Sequence, residues 1–393
     1  MPPSLAQVQV DADRARLSRQ RPLLLRKWRR MVASPFAFLR GASPLWAEAF
    51  KRHPEWLRTA PGVGGLVGDL HLENFGTFRA ASGMTFHVND FDESFDGPWT
   101  FDVLRLLVST LLARPELDCT GTQVLHLAEA VLDGHEAGLA EEKVPRPPFI
   151  QHLVDEAEAE RPTRLLEKRL DTRGRLERDD EKSPDAPASV CRAVPAALTQ
   201  WCSFLEQTCN EPLLSCQAEP PKGQRERPAD ALDVVDVTRR VAGTGSLGVE
   251  RLLVLARGDG QRWLLEVKAL RGSPAAKGEV DAHAVAQRLR RALPQPPKGL
   301  GAARLNGLPV LVHPLFPGED KLSADQLEPD ALRPTLHYLG FLSGEVHRRA
   351  ARQSARWTRA QQLAVLDAAG ELAGLHEQAF LEFCRLVVDD VEA

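Results

Sequence analysis

The 393-residue chain has no run of about 18 apolar residues, which excludes a membrane-spanning helix legible from hydropathy. Its most apolar stretch, Val103 to Ala113, is broken by Arg105. The opening residues, Met1-Pro2-Pro3-Ser4-Leu5-Ala6-Gln7, lack the apolar centre of a secretory signal, so a cytoplasmic location is expected. Neither sign of charge dominates: a net charge of −4 offers no general attraction to nucleic acid or to anionic membrane. There is no internal repeat. None of the six cysteines (Cys119, Cys191, Cys202, Cys209, Cys216 and Cys384) forms a C-x-x-C pair, which removes the commonest zinc and redox signatures. Cys202 and Cys209 share a helical spacing, with Cys216 beyond Pro212. A metal or redox role stays open there, but reduced, packed thiols are the plainer reading.

What is present is an ordinary globular mixture, 43% hydrophobic and 26% charged, in a chain long enough for two domains or one two-lobed one. Leu17, Leu23, Leu24, Leu25 and Trp28 predict a helical segment within 11–33, and Pro44 to Trp56 a second helix. Alternation in Met84 to Asn89, with a turn at Ser82-Gly83, predicts a hairpin with Phe75 to Arg79. Helical periodicity runs from Thr100 to about Lys143, then over Phe149 to Leu170 and Pro195 to Gln207. Asp171 to Pro187 reads as an exposed charged loop. The breaker-rich stretch Glu219 to Pro228 is the best candidate boundary. Beyond it the pattern changes to strands at 234–241, 249–255, 263–268 and 308–313. A helix at 280–293 interrupts them, and helices over 335–351 and 358–381 follow.

Two short stretches carry chemistry. The first is Gly68-Asp69-Leu70-His71-Leu72-Glu73-Asn74-Phe75-Gly76, followed by Asn89-Asp90-Phe91-Asp92-Glu93. Asp-x-x-x-x-Asn followed one hairpin later by Asp-Phe-x is the spacing of a phosphotransfer loop and its metal-binding Asp. Asp69 supplies a carboxylate to orient and deprotonate a hydroxyl, with His71 beside it steadying the loop. Asn74, Asp90 and Asp92 supply oxygen ligands for magnesium. The second stretch is Gly243-Thr244-Gly245-Ser246-Leu247-Gly248. A dinucleotide-binding turn would be followed by a helix. Here a strand, a Gly258-Asp259-Gly260 turn and another strand follow, which suits a glycine-rich loop over ATP phosphates. Lys268 ends that last strand, where a phosphate-pairing lysine belongs. Its acidic partner is sought at Glu279 or Asp281, with Gln287 a polar alternative. Arg40 is read either as a phosphate ligand or as a helix-end cap. Asp102, near a helix start, buttresses the loop, while His87, His313 and His347 are structural.

The order of these parts is that of a circular permutation. The lysine-bearing strands follow the Asp69 loop instead of preceding it, and the helix over 335–351 stands for the one that normally leads into that loop. The cut lies between that helix and Gly68, and the former ends are rejoined through residues 211–233. The expected fold is α+β and two-lobed, protein-kinase-like in permuted order. A helical segment occupies 1–60, a mainly helical large lobe 61–232, a small antiparallel-sheet nucleotide lobe 233–320, and returning helices 321–393.

On Met31-x-x-Ser34-Pro35-Phe36-x-Phe38-x-Arg40-Gly41, the Gly68 to Gly76 and Asn89 to Glu93 runs, Gly97-Pro98-Trp99 with Asp102, and Gly243 to Gly248 with Val267-Lys268, the chain resembles an uncharacterised bacterial family, domain of unknown function twenty-two fifty-two. More distantly, Gly68-Asp69-Leu70-His71-x-x-Asn74 is similar to the loop of aminoglycoside and choline phosphotransferases, with Val67 where that loop has its first His. The readings are then three. The first is an ATP- and magnesium-dependent phosphotransferase acting on a hydroxyl acceptor, small molecules favoured, with nucleotidyl transfer as a variant. The second is a nucleotide-binding pseudoenzyme, and the third a metal-dependent phosphoesterase. The last wants Gly-Asp-x-x-Asp and Gly-Asn-His runs, which are absent.

Overall fold

The computed structural model describes residues 2–209, 232–258, 260–353 and 356–392. Cys216, the Glu219–Pro228 boundary, Asp259 and nearly all of the rejoining segment 211–233 lie outside the described residues. Four helices open the chain: α1 (Leu5–Leu17), α2 (Arg21–Met31), α3 (Pro35–Leu39) and α4 (Ser43–Arg52). The expected helical segment over 11–33 is split because Pro22 lies at the start of α2, where its missing N–H costs nothing. Strand β1 (Val63–Gly65), the hairpin β2 (Phe75–Ala80) and β3 (Gly83–Val88), and β4 (Asp96–Pro98) follow. Then come α5 (Thr100–Leu112), α6 (Gly121–Leu139), α7 (Pro148–Ala159), the single turn α8 (Arg164–Glu167) and α9 (Ala188–Phe204). The strands β5 (Asp233–Arg239), β6 (Arg251–Gly258) and β7 (Gln261–Ala269) precede α10 (Ala282–Ala292). The chain continues through β8 (Gly301–Leu305), β9 (Leu308–Pro314), α11 (Pro329–Arg349), β10 (Ala351–Gln353) and α12 (Arg359–Glu392).

This is an α+β fold with antiparallel sheets. β5 to β9 form one five-stranded sheet in the order β5-β6-β7-β9-β8. Alternation along β7 sends Leu265 and Val267 into a core shared with α9 and α10. Glu266 and Lys268 point to the other face, towards the cleft. The larger core joins α5, α6, α11, α12 and the β2–β3 hairpin. A third apolar cluster seats Leu17, Trp28 and Phe38 of the first helices on Phe383 and Val387 of α12.

Four features differ from expectation. The helix starting near Phe149 stops at Ala159 instead of Leu170, just before Pro162, whose ring disfavours helix in the residue ahead of it. The helix expected over 195–207 starts at Ala188. That helix, α9, falls within the range 61–232 expected for the large lobe, yet it packs on the sheet core instead. The three-stranded sheet β10-β1-β4 was not foreseen. Its strands are three residues each and are made by partners distant in sequence: Gly64 faces Ala351 and also Gly97. This sheet sets the end of α11 beside the approach to Gly68, with Gly65 N–H donating to the Ala350 carbonyl at 3.0 Å.

Candidate active site

The loop after β1 is held from beneath by Asp102, at the start of α5 and wholly buried. Its carboxylate accepts the backbone N–H groups of Val67 (2.6 Å) and Gly68 (2.9 Å). His347 Nε2 lies 3.1 Å away, His135 is 2.9 Å from His347, and Trp357 Nε1 donates to His135 at 2.9 Å. A buried polar chain therefore runs from the loop through α11 and α6 to the start of α12. Gly68 adopts φ +90, and a Cβ there would stand 2.0 Å from the Glu93 carbonyl oxygen. Only glycine permits this approach of the loop to the residue after Asp92.

Asp69 faces the cleft with the Arg105 guanidinium against its carboxylate. Burial raises the Asp69 pKa, an effect Arg105 opposes and the charge of Asp90 reinforces. His71 Nε2 lies 3.9 Å from Asp69, and its Nδ1 accepts the Glu73 N–H at 3.2 Å. Burial, then the charge of Arg40, holds His71 well below the usual histidine range, so it is neutral. Asn74 donates its amide nitrogen to the Asp69 carbonyl, which leaves the amide oxygen as the group able to meet a cation.

The hairpin does what its sequence suggested: Phe75 pairs with Val88, so Asn74 and Asp90 sit at the same end. Lys268 reaches them from the sheet. Its Nζ lies 3.3 Å from Asp90 Oδ1 and in closer contact with Asp92. Lys321 Nζ lies 3.2 Å from the second oxygen of Asp90. Burial pushes Asp90 up, but Lys268 and Lys321 together outweigh it and hold Asp90 well below the usual carboxylate range. Burial and the neighbouring Asp90 charge raise Asp92 to about 6 despite Lys268. Lys268 does not take Glu279, Asp281 or Gln287 as its expected partner. Among the described residues its ion pairs are with Asp90 and Asp92, while Asp281 caps α10 through the His283 N–H at 2.9 Å. A pair 178 residues apart leaves no local trace in a sequence.

The glycine-rich loop joins β5 to β6 and lines the same cleft of about 520 Å³ with Gly243, Thr244, Gly245 and Ser246. Gly248 does not line it. Its φ is +77, and a Cβ would meet Leu17 of α1 at 2.2 Å, so this glycine seats the loop on the first helix. Arg30 Nη1 donates to the Gly243 carbonyl at 2.5 Å. Beneath the loop, buried Glu266 takes Arg240 at 2.5 Å and Arg251 at 2.6 Å, and His313 stands 3.7 Å away. This network ties the loop's first residues to the strand that carries Lys268. Sequence reasoning missed Glu266, Arg105, Lys321 and Arg16. Glu266 carried one signal, two residues before Lys268 and so on its face of β7. Lys321 carried none; it enters where Gly76 lets the Asp320 carbonyl pass within 2.2 Å of where a Cβ would stand.

Among the described residues, no helix is long and apolar enough to cross a membrane. Among those residues no group of three or more His, Cys, Asp or Glu is arranged to hold a metal ion. The architecture and cleft define an α+β protein in which a sheet-borne lysine and glycine-rich loop face a loop of Asp, His and Asn. Residues 19–386 match the family model described as an uncharacterized protein conserved in bacteria (DUF2252), and the chain belongs to that family. No curated protein and no solved structure matches it.

Proposed function

We propose that the chain is an ATP- and magnesium-dependent phosphotransferase acting on a hydroxyl acceptor, a small molecule favoured, with its kinase-like parts in circularly permuted order. One observation carries the reading: Lys268, two residues beyond Glu266 on the sheet, meets Asp90 and Asp92 across a cleft that Asp69 and the glycine-rich loop also line. Positioning and charge stabilisation are most of what phosphoryl transfer asks of a protein. Asp69 orients the acceptor hydroxyl and takes its proton. The backbone of Gly243 to Ser246 and the ammonium of Lys268 hold phosphate oxygens. Asn74, Asp90 and Asp92 are a hard-oxygen set suited to magnesium, and the two lysines already drawn onto Asp90 mark it as a cation-seeking group. Bound magnesium would neutralise charge on the phosphates. Lys268, now shared between two carboxylates, is the group that phosphates would draw away.

A second reading, nucleotide binding without transfer, is favoured by the Arg105 guanidinium against Asp69, which competes for the carboxylate a base needs. Nucleotidyl transfer is a variant of the first reading. A phosphoesterase is less well supported, because it leaves the glycine-rich loop and Lys268, which line the cleft, without a role. The deciding experiment is a thermal shift with Mg·ATP followed by an acceptor screen. Wild type is expected to be stabilised by Mg·ATP. Asp69→Ala should keep that stabilisation and lose turnover by roughly 10²–10⁴-fold, as for loss of a general base. Asp90→Asn should abolish the magnesium dependence. Absence of any nucleotide effect on wild type would refute the proposal, and nucleotide binding with no acceptor turned over would favour the second reading.

A further inference from the structure

Among the described residues, two arginines lining the cleft, Arg16 and Arg40, keep guanidinium nitrogens without a hydrogen-bond partner. Arg16, near the end of α1, lines the cleft, and its Nε and Nη2 are buried without a hydrogen-bond partner. The nearest acid on its own helix, Asp13, is already engaged by Lys27 and, at 3.1 Å, by Trp28 Nε1. Arg40, just after α3, lines the same cleft. One of its nitrogens pairs with Glu73 at 2.6 Å while its Nε is buried without a partner. Burying guanidinium donors without hydrogen-bond partners is costly, and a cleft lined by two arginines that each keep such donors suits an anion.

Their position says which anion. Arg40 stands by His71 and Glu73, and Arg16 acts electrostatically on Glu93, whose carbonyl packs on Gly68. The two arginines therefore stand near the Asp69 loop, with the Arg40 carbonyl also 3.0 Å from where a Cβ on Gly245 would lie. Lys268 and Lys321 occupy the Asp90 end. The first helices also contact the glycine-rich loop, through Leu17 at Gly248 and Arg30 at Gly243, so this segment forms a wall of the cleft. We propose that Arg16 and Arg40 form an anion subsite for the acceptor, and that the acceptor is a hydroxyl compound carrying a phosphate or carboxylate group. Arginine suits either by its forked donors. The identity of the ligand as an acceptor rests on the phosphotransferase reading; the anion subsite does not.

The test uses inorganic phosphate as the probe. Its affinity is measured by calorimetry on the full chain, alone and saturated with a non-hydrolysable ATP analogue and magnesium, so that the terminal-phosphate position is filled. Arg16→Gln is expected to weaken phosphate at least tenfold in both states and to change analogue affinity less than twofold, with Arg16→Lys partly restoring phosphate binding. It should also raise the melting temperature of the free protein, since two buried donors without partners have gone. A scaffold role would lower it. Equal loss of phosphate and analogue affinity, loss of the triphosphate analogue but not of Mg·ADP, or unchanged phosphate binding would each overturn the subsite. If wild type binds no nucleotide but its phosphate affinity still depends on Arg16, the phosphotransferase reading fails and the subsite stands. Should Arg16→Gln not fold, Arg16→Lys and Arg40→Gln carry the same comparison.

Discussion

His376 shows at a single residue what the interior demands. It lies in α12 with its ring 4.9 Å from Phe38, and both ring nitrogens are buried without a partner. Burial, then the charge of Arg105, pushes its pKa down to about 3. The unfolded chain takes up a proton near 6.5 while the folded one refuses it down to about 3, so stability falls as pH drops through that window. The slope for one such group is about 1.4 kcal/mol per pH unit. His71, His87 and His135 are shifted in the same direction by burial and add to the slope. His313 runs the other way: burial lowers it, but Glu266 wins and raises it. Its contribution is therefore present below about 6.5 and lost as pH rises through the folded value. His376→Leu should flatten the stability profile between pH 6 and pH 4 by about one proton. It should cost nothing at pH 7.5, because an apolar side chain replaces a polar one with no partner. Urea midpoints across that range measure both, and an unchanged slope would refute the assignment.

Helices α6 and α11 meet through glycine. A Cβ on Gly134 would stand 1.9 Å from the His337 carbonyl oxygen, one on Gly340 2.0 Å from that of Val131, and one on Gly344 2.2 Å from that of His135. Backbones this close bring His135 to 2.9 Å from His347, and so carry support to Asp102 and the Asp69 loop. Gly340→Ala is expected to cost roughly 2–3 kcal/mol by overpacking. Gly374→Ala, in α12 with nothing within 4 Å of the added carbon, should instead gain about 0.5–1 kcal/mol from helix propensity. Denaturant titration of the two variants should therefore move in opposite directions; equal effects would mean that the helices are not in contact. The same elements show what a sequence discloses. The β2–β3 hairpin and the strand–turn–strand over 251–269 were legible because alternation and glycine turns are local signals. The close approach of α6 and α11 was not, since a helical glycine looks the same whether it faces water or another backbone. The strands β1, β4 and β10 were hidden too, being too short to have a period.

Across the whole molecule, the local motifs of the site were legible and its assembly was not. Asp69, Asn74, Asp90 and the glycine-rich loop each announce themselves within a few residues. Lys321, Arg16 and the true partners of Lys268 arrive from distant parts of the chain. The permuted order belongs to the proposed function, and one junction is where it can be tested. The end of α11 is hydrogen-bonded to β1, directly ahead of Gly68, so a chain running from that helix into the loop would need no rearrangement. The termini support the converse operation. Ser4 Oγ donates to Glu382 at 2.6 Å, and Arg14 and Arg21 pair with Asp390 at 3.3 and 3.0 Å. From Glu382 to the last described turn of α12 is only about 14 Å at helical rise. A linker of roughly ten residues, reaching about 33 Å when extended, joins the ends without strain. New termini opened between Cys209 and Leu232 would restore the order of sheet, lysine, helix and Asp69 loop. This permutant is expected to unfold cooperatively within a few degrees of the parent, because the contacts that bury the cores are unchanged. It should also retain the parent's response to Mg·ATP. Loss of cooperative unfolding would show that the connection through residues 210–231 is itself part of the fold, and the permuted reading would then lose its footing.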